Sequence, residues 1–472
     1  MSGPSTTTTA APRQIPGPTG WAKWRAVVDI SKRPHEYFLY LAKTYGDIAQ
    51  LDFPGERVVI LTKPEYIEHV LHQSHRNYEK QTGRWRSLRQ IWGNGLITSD
   101  GEFWKKQRQR MQPAFHQECI DGYLRIFVEE AERSIRGWGE AADAGQPRDI
   151  FIDMMACSLR SLTRAMFGSD VEDRTDEIIR ALQDIHPYVN PASLVSLIDP
   201  PKAIRRLVTP GYRRFERGLA AIHKLLDDMI AKRTAGGGDS HDLLSLIMHG
   251  RDETSERMTV EELHDEMMVV LMAGHETTGI ALAWAFHWLA KTPEAERRLH
   301  AEVDAVLGDR LPTLADLPRL DYSRMVLDEV LRICPPIYAF DRRAIADDEI
   351  DGYLIPKGAT VGLSPYALHH HPKYWDHPEA FDPDRFSAER SAGRPDYAFF
   401  PFGGGPRRCI GFRFATMESI VLLATLSRRF ELRPVPGKPV EPILRLNFMP
   451  RAGVVMSLRR RTAAQAAGPS TS

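Results

Sequence analysis

The segment from Phe402 to Gly411, which reads FGGGPRRCIG, contains the residue types in this chain best suited to chemistry. Its three consecutive glycines allow the backbone to turn sharply and to bring several N–H groups towards one point. Cys409 follows Arg407 and Arg408 and directly precedes a predicted helix from Phe412 to Phe430. A helix N-terminus and basic neighbours both favour the thiolate over the thiol. The pattern therefore indicates metal ligation by Cys409.

Two other interpretations of this segment stay open at this point. An isolated cysteine is most often a buried, inert, small apolar residue, and this interpretation fits Cys119, Cys157 and Cys334 best. A glycine-rich loop can also bind phosphate, although this one lacks the ending and the preceding strand of a P-loop. The four cysteines form no CxxC pair, which argues against a disulfide scaffold and a structural zinc module. We expect a reducing compartment.

A second group of polar residues lies in the middle of a long apolar helix. Thr259 and Glu262 form a capping-box pattern, and Thr292-Pro293 ends the helix, so we expect it to run unbroken to about Lys291. This helix is apolar on nearly all of its faces, which indicates that it is buried in the protein. The polar run Gly274–Gly279 at its midpoint breaks this pattern, as functional sites often do.

Within that run, Glu276 and Thr277 are suited to holding water and transferring protons. A helical threonine also commonly bonds the carbonyl oxygen four residues earlier, which is the structural alternative for Thr277. We interpret His275 as structural. We also interpret His369–His371 as structural, and the alternative is that they form a metal-binding cluster.

Glu329 and Arg332 have the i, i+3 spacing that places a carboxylate and a guanidinium on one helix face. Most such pairs are solvated and contribute little. Arg385, which lies in Pro383–Phe386, is available to join them in one network.

The surrounding elements are predicted to be mainly helical. A β-hairpin is expected over 46–63 around Pro54-Gly55, and a surface loop at Thr234–Ser240. Helices are expected over 100–333 and 410–430, and short strands over 343–366 and 431–460. This order is not an alternating βαβ pattern.

The 472 residues would suggest about three domains. No long linker divides the chain, so we predict one domain over 21–460 between flexible tails at 1–20 and 461–472. Lys plus Arg and Asp plus Glu are both 62, which argues against nucleic-acid binding. With neither a signal peptide nor an apolar run that spans a bilayer, we expect a cytoplasmic protein without a membrane anchor.

Together these residues resemble the cytochrome P450 family of haem-thiolate monooxygenases. Phe402–Gly411 matches F-G-x-G-x-R-x-C-x-G at every fixed position, and Ala273–Thr278 matches A-G-x-E-T-T. Glu329 and Arg332 match E-x-x-R, and Trp104 and Arg108 match W-x-x-x-R. One departure is Pro-Asp-Arg-Phe, with Asp384, in place of P-E-R-F. The motifs occur in family order over about residues 100–415.

The resemblance implies a mainly α fold with small β-sheets, shaped as a triangular prism. Haem b would lie between the long central helix and the helix after the cysteine loop, with Cys409 as its iron ligand. Glu276 and Thr277 would be the catalytic acid–alcohol pair that delivers protons to dioxygen. The member would be soluble and of bacterial type.

The resemblance also assigns residues to three further groups. The haem contacts would be Trp104, Arg108, Ala273, Arg342, Phe402, Gly403, Arg407 and Gly411. The structural network would be Glu329, Arg332 and Arg385. The substrate pocket would include Met268, Leu271, Met272, Ile337, Tyr338, Phe340, Phe448 and Met449.

The implied reaction is oxidation of an apolar small molecule by O2 and two electrons. The electrons would come from a separate ferredoxin or flavodoxin and an NAD(P)H-dependent reductase, which would dock on a basic face. That face would consist of Lys105, Lys106, Arg110, Arg408 and Arg413. We expect a monomer. A peroxide-driven peroxygenase and a non-catalytic haem-binding protein are the alternatives, and the intact Glu276–Thr277 pair argues against both.

Overall fold

The computed structural model describes residues 13–461 except 54, 169–173, 186–187, 189–205, 208, 210, 237–241 and 254. In the described residues the fold is mainly helical with small sheets, as predicted. The helices are α1 Trp21–Lys32, α2 Pro34–Tyr45, α3 Pro64–Glu68, α4 Gly83–Trp92, α5 Gly101–Met111, α6 Gln117–Gly122, α7 Leu124–Asp143, α8 Ile150–Phe167, α9 Thr175–Ile185, α10 Tyr212–Thr234, α11 Leu243–His249, α12 Val260–Gly274, α13 Glu276–Lys291, α14 Pro293–Leu307, α15 Asp321–Ile333, α16 Pro365–His369, α17 Ala388–Ser391 and α18 Phe412–Arg429. Most of the predicted loop at Thr234–Ser240 lies outside the described residues.

In the part of the chain that the structure describes, the strands form four small sheets. They are β1 Ile48–Phe53, β2 Glu56–Leu61, β3 Tyr78–Glu79, β4 Arg148–Asp149, β5 Phe340–Ala344, β6 Asp348–Ile350, β7 Tyr353–Ile355, β8 Thr360–Leu363, β9 Phe430–Pro434, β10 Pro442–Leu444, β11 Phe448–Pro450 and β12 Val455–Arg460. The largest sheet has the order β1-β2-β8-β5-β3, in which only β2 and β8 are parallel. The predicted hairpin is confirmed, because β1 and β2 pair antiparallel with Phe53 opposite Glu56.

Some residues that the sequence assigned to the two tails contact the rest of the fold. The Arg13 N–H donates to the Gly352 carbonyl oxygen at 2.7 Å, and the Gln50 N–H donates to the Pro16 carbonyl oxygen at 2.8 Å. These backbone bonds join residues 13–20 to the sheet region. At the other end, Arg461 forms an ion pair with Asp304 at 2.6 Å. Residues 1–12 and 462–472 lie outside the described residues.

The central helix begins and ends as its sequence signals predict, but it is not continuous. The Thr259 and Glu262 side chains form both hydrogen bonds of a capping box, and α13 ends at Lys291. His275 separates α12 from α13, with φ −95° and ψ −41°. By length and hydropathy Val260–Lys291 passes for a membrane span, but most of it is buried inside the protein. It is therefore the core of the fold.

Glu329, Arg332 and Arg385 lie together in the interior. Arg332 donates from Nε and Nη2 to the two carboxylate oxygens of Glu329, at 2.7 and 2.8 Å, and Arg385 Nε donates to Glu329 at 3.3 Å. All three side chains are buried. The remaining Arg332 donors bind the carbonyl oxygens of His369, Pro378 and Ala380. The network therefore ties α15 to the segment that leads to the cysteine loop. Asp384, the departure from the family pattern, pairs with Arg298 of α14.

Candidate active site

A cavity of about 340 Å³ lies between the α12–α13 junction and the Phe402–Gly411 loop. It brings together every residue that the sequence assigned to catalysis, metal ligation or haem contact. These are Trp104, Arg108, Ala273, Glu276, Thr277, Arg342, Phe402, Gly403, Arg407, Cys409 and Gly411. Their individual roles stay predictions.

The backbone of the loop holds the Cys409 side chain towards the cavity. The Cys409 N–H donates to the Phe402 carbonyl oxygen at 2.9 Å, and α18 begins three residues later. Gly405 has φ +60°, and a Cβ atom there would lie 1.9 Å from the Leu71 carbonyl oxygen. Because any larger residue would clash with this backbone, the glycine is required for the turn.

Opposing influences act on the Cys409 thiol. Burial of the site raises the pKa of Cys409, whereas the Gly411 N–H and the charges of Arg108 and Arg408 lower that pKa. The sequence anticipated the two lowering influences but not the larger cost of burial. A metal cation at the sulfur reverses the balance, because a coordinating thiol is deprotonated outright.

The other three cysteines, all in described residues, lie away from the cavity lining. Cys334 is buried, and its sulfur accepts a hydrogen bond from Trp288 Nε1 at 3.3 Å. Cys157 is buried and Cys119 is partly exposed. The inert interpretation of these cysteines fits their positions.

Partly buried cations line the end of the cavity near Trp104. Arg407 donates to Asp100 at 2.7 Å and to the Ser99 carbonyl oxygen at 3.0 Å, and it lies 4.1 Å above the Trp104 ring. Burial lowers the pKa of Arg407 to about 10. Arg108 Nη1 donates to the Arg408 carbonyl oxygen at 3.0 Å.

Lys80 is a site residue that the sequence did not indicate. It lines the same end of the cavity, where its Nζ donates to the Ile97 carbonyl oxygen at 2.8 Å and lies 4.8 Å from the Trp85 ring centre. Burial, followed by the charges of Arg342 and Arg407, lowers the pKa of Lys80 well below its ordinary value. No local sequence signal separates it from a surface lysine, because its environment comes from distant segments.

Arg342 completes this cluster of cations. It donates to the carbonyl oxygen of Asp341 at 2.7 Å, and burial together with the charge of Arg407 lowers the pKa of Arg342 to about 10. The four cations Lys80, Arg108, Arg342 and Arg407 outnumber the two carboxylates nearby, Asp100 and Asp341. The cluster therefore favours an anionic ligand.

The α12–α13 junction forms the opposite wall. Thr277 Oγ1 donates to the Ala273 carbonyl oxygen at 3.1 Å, the local helix bond that the sequence left as an alternative. Glu276 is buried and borders both this cavity and a much smaller one beside Arg445. His275 Nδ1 binds the Leu271 carbonyl oxygen at 2.8 Å, which fits the structural interpretation.

Hydrogen bonds hold the first two of the three consecutive histidines. His369 Nε2 accepts from the Phe400 N–H at 3.0 Å, and His370 Nδ1 binds the Tyr366 carbonyl oxygen at 2.9 Å. Within the described residues no group of three or more His, Cys, Asp or Glu is arranged to hold a metal ion. The structural role of His369–His371 stays a prediction.

Five of the eight predicted pocket residues do not line the cavity. Met272, Ile337 and Phe340 line it, whereas Met268, Leu271, Tyr338, Phe448 and Met449 do not. Met268 and Leu271 lie on the other side of α12 and are fully buried in the core. Tyr338 donates to the Arg445 carbonyl oxygen at 3.2 Å, and Phe448 packs on Trp284.

Other apolar residues take their place. The helix α4 and the residues after it supply several of them, and α12 and the turn before β11 supply the rest. They include Trp85, Leu88, Trp92, Leu96, Val269, Val270 and Leu446. Which faces of α4 and α12 point into the cavity depends on the packing of these helices.

Comparisons with known proteins identify the fold and the family. The family profile "Cytochrome P450" matches residues 15–458. The chain is 36% identical over 415 residues to "Cyclooctatin synthase" of Streptomyces melanosporofaciens, covering 88% of each chain. It is 35% identical to "Cyclooctat-9-en-7-ol 5-monooxygenase" of the same organism, covering 91% of each. It is 30% identical to "Pentalenene oxygenase" of Streptomyces avermitilis, covering 86% of this chain and 89% of that one.

Among solved structures, the "cytochrome P450DA heme domain" superimposes with a TM-score of 0.86 at 28% identity. The match covers 97% of this chain and 99% of the other. The profile and the superposition both extend far beyond the short motifs. The chain therefore belongs to the cytochrome P450 family and is a haem-thiolate monooxygenase.

Proposed function

We propose that this monooxygenase hydroxylates a cyclic, largely hydrocarbon molecule of the terpenoid kind. One oxygen atom of O2 is inserted into a C–H bond. The other is reduced to water by two electrons and two protons. The electrons come from a separate iron–sulfur or flavin protein.

The residues that line the cavity are the main support for this proposal. Around the α12–α13 junction the lining is almost entirely apolar, and Glu276, Thr277 and Thr278 are its polar groups there. Such a lining favours a substrate with few polar groups. The rings of Trp85 and Trp92 are part of the cavity wall, and rigid apolar rings there favour a compact ring system over an extended chain. The names of two relatives specify a cyclic alkenol and the hydrocarbon pentalenene as substrates.

The residues of the cavity fit haem b. Cys409 supplies a thiolate on one side, and the cluster of Lys80, Arg108, Arg342 and Arg407 suits its two propionates, since charge-assisted bonds to carboxylates are strong. When bound, a thiolate-ligated haem supplies the electron-rich iron at which the O–O bond is cleaved. The Gly411 N–H tempers the electron donation of the sulfur.

Glu276 and Thr277 hold and transfer protons on the opposite side. The Thr277 hydroxyl uses its proton in the bond to Ala273, so its oxygen remains able to accept a hydrogen bond from water or substrate. Glu276 lies between the main cavity and the smaller one, and this position suits a group that exchanges protons between the two.

The first prediction distinguishes Cys409 from Cys334 as the iron ligand. Cys409→Ser should abolish the red-shifted carbon-monoxide difference band of the reduced protein, because a hydroxyl does not replace the thiolate. Cys334→Ser, the matched control, should keep it. The band is measured on both purified variants, and its loss in Cys334→Ser alone would overturn the assignment.

The second prediction tests Lys80 as a propionate partner. Lys80→Met should weaken haem retention about tenfold or more, because a hydrogen bond to a charged group contributes about 1.5–3 kcal/mol. The rate of haem transfer to excess apomyoglobin measures the effect. Lys43→Met, on the exposed side of α2, is the control and should transfer haem at the wild-type rate.

The same site should make haem retention depend on pH. Burial lowers the pKa of Lys80 in the haem-free site, whereas a bound carboxylate raises it, so binding is coupled to proton uptake. Retention by the wild type should therefore weaken as pH rises from the free towards the bound pKa. Lys80→Met should lack this part of the pH dependence; an identical profile would contradict the assignment.

The third prediction concerns the substrate. Pentalenene or cyclooctat-9-en-7-ol should convert the ferric haem spectrum towards high spin, and it should be hydroxylated when ferredoxin, reductase and NADPH are supplied. A linear C14 fatty acid of similar apolar area is the control and should produce a weaker shift. The reverse order would refute the cyclic substrate class, and faster turnover with hydrogen peroxide would identify a peroxygenase.

The redox partner is proposed to dock near Cys409 on a basic surface. Arg408 and Arg413 are exposed and flank the Phe412 ring. Lys105 and Lys106 pair with Glu253 and Glu256 at 2.9 and 3.5 Å.

For one residue, Arg110, the prediction that it belongs to the basic face is wrong. Arg110 is buried and forms an ion pair with Asp252 at 2.8 Å, because its side chain points into the fold. The available positive charge therefore lies closest to the cysteine loop. An acidic ferredoxin or flavodoxin complements it.

The fourth prediction tests this surface. Arg413→Glu should slow reduction by ferredoxin about fivefold or more at low ionic strength and flatten the salt dependence, because surface charges act mainly on the association rate. Stopped-flow reduction measures both effects. Arg297→Glu, an exposed reversal on α14, serves as the control; equal effects of the two variants would contradict the proposed surface.

A further inference from the structure

The outer surface of α1 carries two exposed tryptophans. Trp21 is 88% exposed and Trp24 is 68% exposed, whereas the other seven tryptophans of the chain are buried or partly buried. Val28 and Tyr40, on α1 and α2, are each about half exposed. Isolated exposed apolar residues are ordinary, but a group of them marks an interaction surface.

The helix is apolar on two opposite sides. At 3.6 residues per turn, Trp21, Trp24 and Val28 fall within about 60° of one another. Ala26 and Ile30 lie on roughly the opposite side, and they pack against the protein in a cluster with Tyr37 and Leu41. The inner side therefore accounts for the attachment of α1 to the fold.

Two basic side chains lie on the same side of α1 as the tryptophans. Arg25 and Lys32 fall within about 40° of Trp21 on the same side of the helix. Residues 13–63 contain eight Lys and Arg against five Asp and Glu. Arg25 pairs with Asp29 at 3.5 Å with both side chains exposed, and such pairs hold their partners weakly. These cations are therefore available to an anionic surface.

From this combination we propose that α1 binds the surface of an anionic lipid bilayer, with Trp21 and Trp24 inserted at the headgroup level. Tryptophan favours this interface because its ring is apolar while its N–H is polar. Each Lys or Arg near an anionic bilayer adds attraction. The contact is peripheral, and no helix crosses the bilayer in it.

Other occupants fit the surface less well. Residues 1–12 read MSGPSTTTTAAP and contain no aromatic side chain, so they offer little apolar surface to match two tryptophans. In a symmetric pair of copies the same patch meets itself, which places Arg25 and Lys32 of one copy near those of the other. The resulting repulsion disfavours a dimer.

The test uses the full-length haem-loaded protein and sedimentation with extruded vesicles. Binding should be strong with vesicles of phosphatidylcholine and phosphatidylglycerol, weaker with phosphatidylcholine alone, and reduced by salt. Trp21→Ser/Trp24→Ser should lower the partition coefficient about tenfold or more. Arg25→Gln/Lys32→Gln should lower binding to the anionic vesicles alone. Ile152→Ser, at an apolar position on α8 that is 61% exposed, should bind as the wild type does.

The carbon-monoxide band and thermal unfolding check that each variant is folded. A double variant that fails to fold is replaced by quenching of wild-type tryptophan fluorescence with brominated phosphatidylglycerol, which should dim the exposed pair. The proposal is overturned by absence of wild-type binding and quenching, or by full binding of the tryptophan variant. A dimer in sedimentation velocity that this variant abolishes would assign the patch to a second copy instead.

Discussion

The position of the Cys409 loop depends on the buried ion cluster of Glu329, Arg332 and Arg385. Two guanidinium groups share one carboxylate, and the remaining Arg332 donors are used by backbone carbonyl oxygens. Loss of one partner from such a cluster leaves an uncompensated charge, at a cost of about 3–5 kcal/mol. The bonds hold α15 against the chain that continues into the loop, and so fix the loop relative to the core.

With the loop fixed, the central helix, α12 and α13, must cross the fold at a set distance from the Cys409 loop. Small residues allow this close packing: a Cβ atom on Gly279 would lie 2.9 Å from the Cα atom of Met155 on α8. A Cβ atom on Gly274 would lie 2.9 Å from Leu162 of the same helix. These glycines thus admit α8 behind the helix, while Ala273 and Thr277 face the cavity. The polar midpoint of an apolar helix is stabilised by packing on both sides.

The sequence was most informative where a residue type has only one suitable geometry. The glycines of the loop, the Thr259–Glu262 cap and the charged spacing of Glu329 and Arg332 each predicted local structure that is present. Which side of an element faces the cavity was less predictable, because Met268 and Met272 have the same residue type and similar apolar neighbours. Lys80 was missed for a related reason, since its burial arises from segments far apart in the chain.

Zero net charge conceals an uneven distribution of cations. One group lies at the cavity, where Arg342 is buried and Arg407 pairs with Asp100; in our proposal an anionic cofactor would compensate the charge that remains. Another lies on α1 beside exposed tryptophans. An apolar substrate that fits the cavity dissolves poorly in water and partitions into lipid. A protein attached to the bilayer surface would meet this substrate at a higher local concentration than one in solution. In these two proposals, the apolar cavity and the aromatic outer side of α1 would answer the same physical constraint, the low solubility of the substrate.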